Sequence, residues 1–146
     1  MQSKIIADGP PRVIAVVLET GEELVKTLTS FARDNSLHAS QITAIGAFQS
    51  AVLGFYDFSK RDYKRIEVNE QVELLSLLGD ISTEKGKPKL HLHVTVGRED
   101  GSTRGGHLLE AVVHPTLEAI ITEAHAHLVR CFDEKSGLAL IRIDGE

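Results

Sequence analysis

The chain has 146 residues, 42% of them hydrophobic and 25% charged, with a net charge of -5 when histidine is neutral. Those proportions fit one globular domain that buries roughly two thirds of its unfolded surface and needs no covalent staples. The acidic balance argues against binding nucleic acid through charge alone. The single cysteine, Cys131, excludes an internal disulfide and a cysteine-built zinc cluster.

Met1 to Ile6 is too short and too soon polar for a signal peptide, and no 18-residue apolar run exists. A cytoplasmic protein without a membrane span is therefore expected. Residues 1–9 read as an N-terminal tail and residues 10–146 as a single domain. Val13 to Leu18 is a β-branched apolar run, read as a buried strand. Thr20 and Glu23 have capping-box spacing, so a helix is expected over about residues 21–34, with Leu24, Leu28, Phe31 and Ala32 on its buried stripe.

Gln41 to Gly46 and Ala51 to Phe58 read as two further strands, the first ending at the glycine. Tyr63 to Val68 and the mostly apolar Val72 to Leu78 follow. Glu84 to Pro88 is a polar loop, Leu90 to Val96 a strand, and Arg98 to Gly106 a loop bearing glycine. Pro115 to Ala124 is ambiguous. Leu117, Ile120, Ile121 and Ala124 recur at helical spacing, yet Ile120, Ile121 and Thr122 favour a strand. Leu128 to Phe132 and Leu138 to Ile143 form a hairpin pattern. The fold class is α/β of the α+β kind: about eight mainly antiparallel strands with one main helix on a face.

Seven histidines stand out, above all in Leu90-His91-Leu92-His93-Val94. Alternate residues of a strand share a face, so His91 and His93 project side by side and can converge on one ion. His107, after Gly105-Gly106, supplies a third imidazole and leaves a position open for water or a ligand. Imidazole suits zinc, copper, iron and nickel, and one divalent transition-metal ion per chain, zinc first, is the expected cofactor. The bland alternative is a set of polar residues on a half-exposed strand. Geometry raises an objection: if residues 98–105 are all loop, residue 97 pairs with 106 and His107 lies roughly 10 Å from His93.

Other candidates are weaker. His125 and His127 share a face only if they lie on a strand; on a helix they diverge. His38 and His114 sit at element edges. Glu73 reads as the exposed member of an apolar strand, and Glu73, Glu99 and Glu110 are the candidate general bases should the ion serve catalysis. Cys131 alternates with Val129 and reads as a structural cysteine. Phosphate loops, dinucleotide-binding glycine motifs and nucleophile elbows are absent. The spacing of Gly86, His91, His93, Glu99 and Gly105 misses a cupin metal motif by a residue in each gap.

The order of Gly21-Glu22-Glu23, Ile45-Gly46-Ala47-Phe48, Tyr56-Asp57, Val72 to Gly79, His91-Leu92-His93-Val94 and Gly105-Gly106-His107-Leu108 resembles the PPC (plants and prokaryotes conserved) domain. The resemblance spans roughly residues 10–144. It implies a strongly bent antiparallel sheet, a homotrimer and a strand at Leu117. It also implies that His91, His93 and His107 match conspicuous family histidines, some prokaryotic relatives looking like metal binders. Val72 to Gly79 matches a family segment tied to partner interaction in plant members, with Val72 in place of an aromatic residue.

Plant members carry AT-hooks, whose Arg-Gly-Arg-Pro core reads the minor groove. Arg104-Gly105-Gly106 lacks the second arginine and the proline. The expected function is a metal-binding homotrimeric module of regulatory or interaction type, in a family whose members carry a DNA-binding label. The alternatives are a small-molecule metalloenzyme and a direct DNA-binding regulator.

Overall fold

The computed structural model describes residues 1–124 and 126–143. Nine strands form one sheet: β1 Gln2–Asp8, β2 Arg12–Glu19, β3 Ser40–Asp57, β4 Asp62–Val68, β5 Val72–Glu84, β6 Lys87–Gly97, β7 Thr103–Glu123, β8 Val129–Asp133 and β9 Leu138–Arg142. A single helix among the described residues, α1 Leu24–Asp34, follows β2. All pairings are antiparallel except a two-residue parallel contact between β5 and β8. The α+β reading therefore holds.

The strand β6 bonds to both β5 and β7, and β3 likewise bonds to both. The four central strands thus form a closed cycle of pairings, β3-β5-β6-β7. Register shifts interrupt the ladders of β3 with β5 and β7, and of β5 with β6. Such bulges bend strands and raise their twist, which lets long strands curl around one core. That core takes Leu53, Leu77, Leu92, Val96, Val113 and Leu117 from these strands, and Leu24, Leu28, Phe31 and Ala32 from α1.

Several expectations need correction. The helix begins at Leu24, after its cap. Glu23 is the N-cap, its carboxylate accepting bonds from the backbone N–H of Val25 and Lys26 at 3.3 and 2.7 Å. Thr20 instead donates its hydroxyl to the carbonyl of Pro115 at 2.9 Å. The stretch expected as a tail holds β1, paired with β2.

The two segments expected at Gln41 to Gly46 and Ala51 to Phe58 belong to one 18-residue strand, which ends at Asp57. Gly46 marks a bulge within it. Its φ is 150°, and a Cβ there would stand 2.4 Å from the carbonyl oxygen of Thr116. Only glycine lets β3 and β7 approach so closely. The ambiguous segment is strand, as the family resemblance implies. Leu117, Ala119 and Ile121 are buried while Glu118 and Ile120 face out, a period of two.

Candidate metal centre

Leu90, Leu92, Val94 and Val96 of β6 are buried, so His91, His93 and Thr95 face the other side of the strand. The connection to β7 is shorter than the sequence suggests. Only Arg98–Ser102 loops out, held by Arg98 N–H to the Ser102 carbonyl and Gly101 N–H to the Arg98 carbonyl, both at 2.9 Å. Gly97 then pairs with Thr103, and the ladder brings His93 opposite His107. The objection that His107 sits too far along is removed, because residues 103–105 are strand. Gly106 serves close approach and makes no turn: an added Cβ would lie 2.9 Å from the Gly54 carbonyl oxygen on β3.

The three imidazoles converge, with one ring nitrogen from each lying within 4.8 Å of the others. The Nε2 atoms of His91 and His93 are 3.2 Å apart. Two nitrogens each 2.0–2.1 Å from a tetrahedral zinc ion stand about 3.3 Å apart. The buried Nδ1 of His107 has no hydrogen-bond partner among the described residues. An unserved buried nitrogen of this kind costs roughly 1–3 kcal/mol unless a ligand completes it. The donor set, its spacing and the unserved nitrogen all fit a transition-metal ion.

The electrostatics favour neutral imidazoles, the form that ligates. The pKa of His107 is lowered to about 4, first by burial and then by the neighbouring His91 and His93. Burial, followed by His91, lowers that of His93 too. Tyr63 of β4 stacks on His107 with ring centroids 4.7 Å apart, and burial raises its hydroxyl pKa.

Behind His91 stands a supporting network that the sequence did not disclose. Asp80 of β5 lies 3.5 Å from the Nδ1 of His91. Arg130 of β8 donates to both Asp80 carboxylate oxygens at 2.9 Å, to the Ser82 hydroxyl at 2.7 Å and to the Ala139 carbonyl at 3.0 Å. Burial pushes the Asp80 carboxyl up, but the bonds from His91 and Arg130 outweigh it and leave the pKa lowered. A carboxylate accepting from Nδ1–H leaves the Nε2 lone pair free for an ion. Asp80 and Arg130 lie far from the histidines in sequence, and only the pairing of β5 with β6 and β8 unites them.

A cavity of about 280 Å³ opens beside the cluster, lined by His91, His107, Tyr63, Glu84, Lys89 and the β8–β9 hairpin. Glu84 is the acidic residue lining it, and none of the three candidate bases is there. Glu73 and Glu99 line a separate cavity, and Glu110 pairs with Arg65 at 2.7 Å. Glu73 is exposed, as expected. His38 and His127 lie together elsewhere, ring centroids 5.1 Å apart. His125 lies outside the described residues, so the second His-x-His pair is not described. His114 is exposed, and Cys131 is a half-buried free thiol.

The sequence model of the Plants and Prokaryotes Conserved (PCC) domain matches residues 6–125. Among solved structures, a metal-containing protein from Archaeoglobus fulgidus is 36% identical. It aligns over 95% of this chain and 99% of its own, with a TM-score of 0.85. A plant- and prokaryote-conserved protein from Pyrococcus horikoshii is 32% identical over 90% of this chain and 91% of its own, also at 0.85. A protein from Bacteroides thetaiotaomicron, described as a candidate DNA-binding protein, is 27% identical over 98% and 99%, at 0.88. The bifunctional protein GlmU of a Synechococcus strain is 30% identical over 80% of this chain, which spans only 18% of that protein's length.

Proposed function

The chain belongs to the Plants and Prokaryotes Conserved domain family, and on that footing we propose that it is a homotrimeric metal-binding module of regulatory or interaction type. The ion is held by His91, His93 and His107. The observation that carries this reading is the convergence of three ligand nitrogens within 4.8 Å on a rigid strand pair. The metal-containing relative from Archaeoglobus fulgidus supports it. Zinc is the first candidate, because three imidazoles with an open fourth position suit it.

A second reading, a small-molecule metalloenzyme, is favoured by the cavity beside the histidines with Glu84 in its wall. An ion held this way acts as a Lewis acid and lowers the pKa of a bound water to about 7. This chain's own residues would do the rest. Asp80 orients His91, Tyr63 packs over His107, and Glu84 is placed to exchange a proton with a molecule in the cavity.

Direct DNA binding has less support here, despite the description of the relative from Bacteroides thetaiotaomicron. The chain has 21 acidic against 16 basic residues, and four arginines are paired with carboxylates within 3.0 Å: Arg33 with Asp34, Arg65 with Glu110, Arg98 with Glu70 and Arg130 with Asp80. The net charge of -5 disfavours the approach of phosphate.

Metal content by mass spectrometry, on untagged protein beside a His91→Ala/His93→Ala variant, tests the reading. About one ion per wild-type chain, absent from the variant, is expected. Wild-type protein that stays metal-free after dialysis against mixed divalent ions overturns it.

A further inference from the structure

The β8–β9 hairpin lies outside the matched residues 6–125, yet it forms a wall of the cavity at the histidine cluster. It is fastened at both ends. At its base Arg130 grips Asp80 and Ser82; at its tip the Tyr56 hydroxyl donates to the Ser136 carbonyl at 2.8 Å. Between these ties Phe132 and Ala139, paired across the hairpin and on the same face as Arg130, line the cavity. Phe132 is 64% exposed, so this wall is apolar surface left open to solvent.

The opposite side is polar and positive. Three neutral imidazoles leave the charge of a divalent ion uncompensated, with a coordination position free. Lys89 lines the same cavity, and its only carboxylate partner among the described residues is Glu84, at 3.9 Å. At that distance, with both groups partly solvated, the pairing is weak and the ammonium is available to a ligand. Arg130 is not available: it is 8% exposed and its donors are spent on Asp80, Ser82 and Ala139. Glu84 disfavours a second negative charge on whatever binds. A volume of about 280 Å³ lies at the small end of ligand pockets.

We propose that this cavity binds a small monocarboxylate with a short apolar tail. The carboxylate lies between the histidine-bound ion and Lys89, and the tail packs on Phe132 and Ala139. The hairpin thereby sets which tails are accepted. This rests on the three-histidine metal reading and deepens it by naming the ligand class.

The test uses the full chain loaded with cobalt(II), whose visible bands report its coordination. Acetate, hexanoate and inorganic phosphate are each titrated, with cobalt content measured alongside. Both carboxylates are expected to shift the bands saturably, hexanoate binding about tenfold tighter than acetate because its methylenes leave water. Phosphate should bind more weakly than hexanoate. In a Phe132→Ala variant the advantage of hexanoate should collapse while acetate affinity is kept; the position is exposed, so folding should survive. In Lys89→Met both carboxylates should weaken together.

Cobalt-loaded protein whose bands ignore hexanoate overturns the ligand proposal and leaves the metal reading intact. So does equal affinity for acetate and hexanoate, or phosphate binding as tightly as hexanoate. A chain that takes up no cobalt overturns both.

Discussion

Asp80 ties the histidine cluster to the rest of the molecule. It accepts from Arg130 with both oxygens and stands 3.5 Å from the Nδ1 of His91. Its charge favours the His91 tautomer that leaves Nε2 free. An Asp80→Asn variant keeps an acceptor oxygen but loses the charge, so metal affinity should fall about 10–100-fold, read by competition with a chelator. The same variant leaves Arg130 buried and uncompensated, at a stability cost on the order of 3–5 kcal/mol, read by denaturant unfolding. Unchanged affinity would show that the carboxylate does not orient the ring.

His107 carries a second prediction at this scale. Its folded pKa is about 4, against about 6.5 for a free imidazole. Between those values the unfolded chain binds a proton that the folded chain refuses. The stability of metal-free protein contributed by a neutral His107 is therefore complete above about pH 6.5 and declines as pH falls toward 4. The ring is half-exposed, so solvent screening reduces the effect to about 1–2 kcal/mol. Urea unfolding of metal-free wild type and His107→Gln at pH 7.5 and 4.5 isolates it: the wild type should lose more on acidification. Equal losses would mean that the ring is not held neutral.

At the scale of elements, what could be read from sequence depended on how local the determining contacts are. His91 and His93 share a face because strands alternate, and that was legible from two residues. The meeting of His93 with His107 depends on where one loop ends, and glycines at 105 and 106 imitate a turn while serving close strand packing. The segment from 117 to 124 was ambiguous for a similar reason. Residues 117 and 121 are apolar in both the helical and the strand pattern, and only pairing with β2 and β3 decides between them.

Gly46 was read as a strand end because glycine usually interrupts a strand; here it lets the strand pass. A Gly46→Ala substitution should destabilise by on the order of 2–4 kcal/mol, since its Cβ would meet the backbone of Thr116 and Leu117 and its φ is strained for an L side chain. Thermal unfolding checks this, and a loss below about 0.5 kcal/mol would show that β3 and β7 separate easily there.

Over the whole molecule, the outward face of β3, β5 and β7 presents Ile45, Leu75, Leu78 and Ile120, each 41% exposed or more. They surround a groove of about 420 Å³ whose floor includes Val17, Thr43 and Ala119. Monomeric proteins rarely leave a contiguous apolar patch of this kind uncovered, and permanent homo-oligomers bury such patches against copies of themselves. The patch holds Leu75 and Leu78 of the Val72 to Gly79 segment, whose resemblance is to a stretch tied to partner interaction in plant members. It therefore supports the proposed homotrimer through side chains the fold does not otherwise need. Light scattering should give wild-type protein three times the 16.0 kDa chain mass. Leu78→Glu, at a position 58% exposed within the chain, should leave folding intact by circular dichroism yet shift the mass toward one chain, because a carboxylate buried at the interface has no partner there. A wild-type mass of one chain at micromolar concentration overturns the trimer, and a folded Leu78→Glu protein that remains trimeric moves the interface to another face.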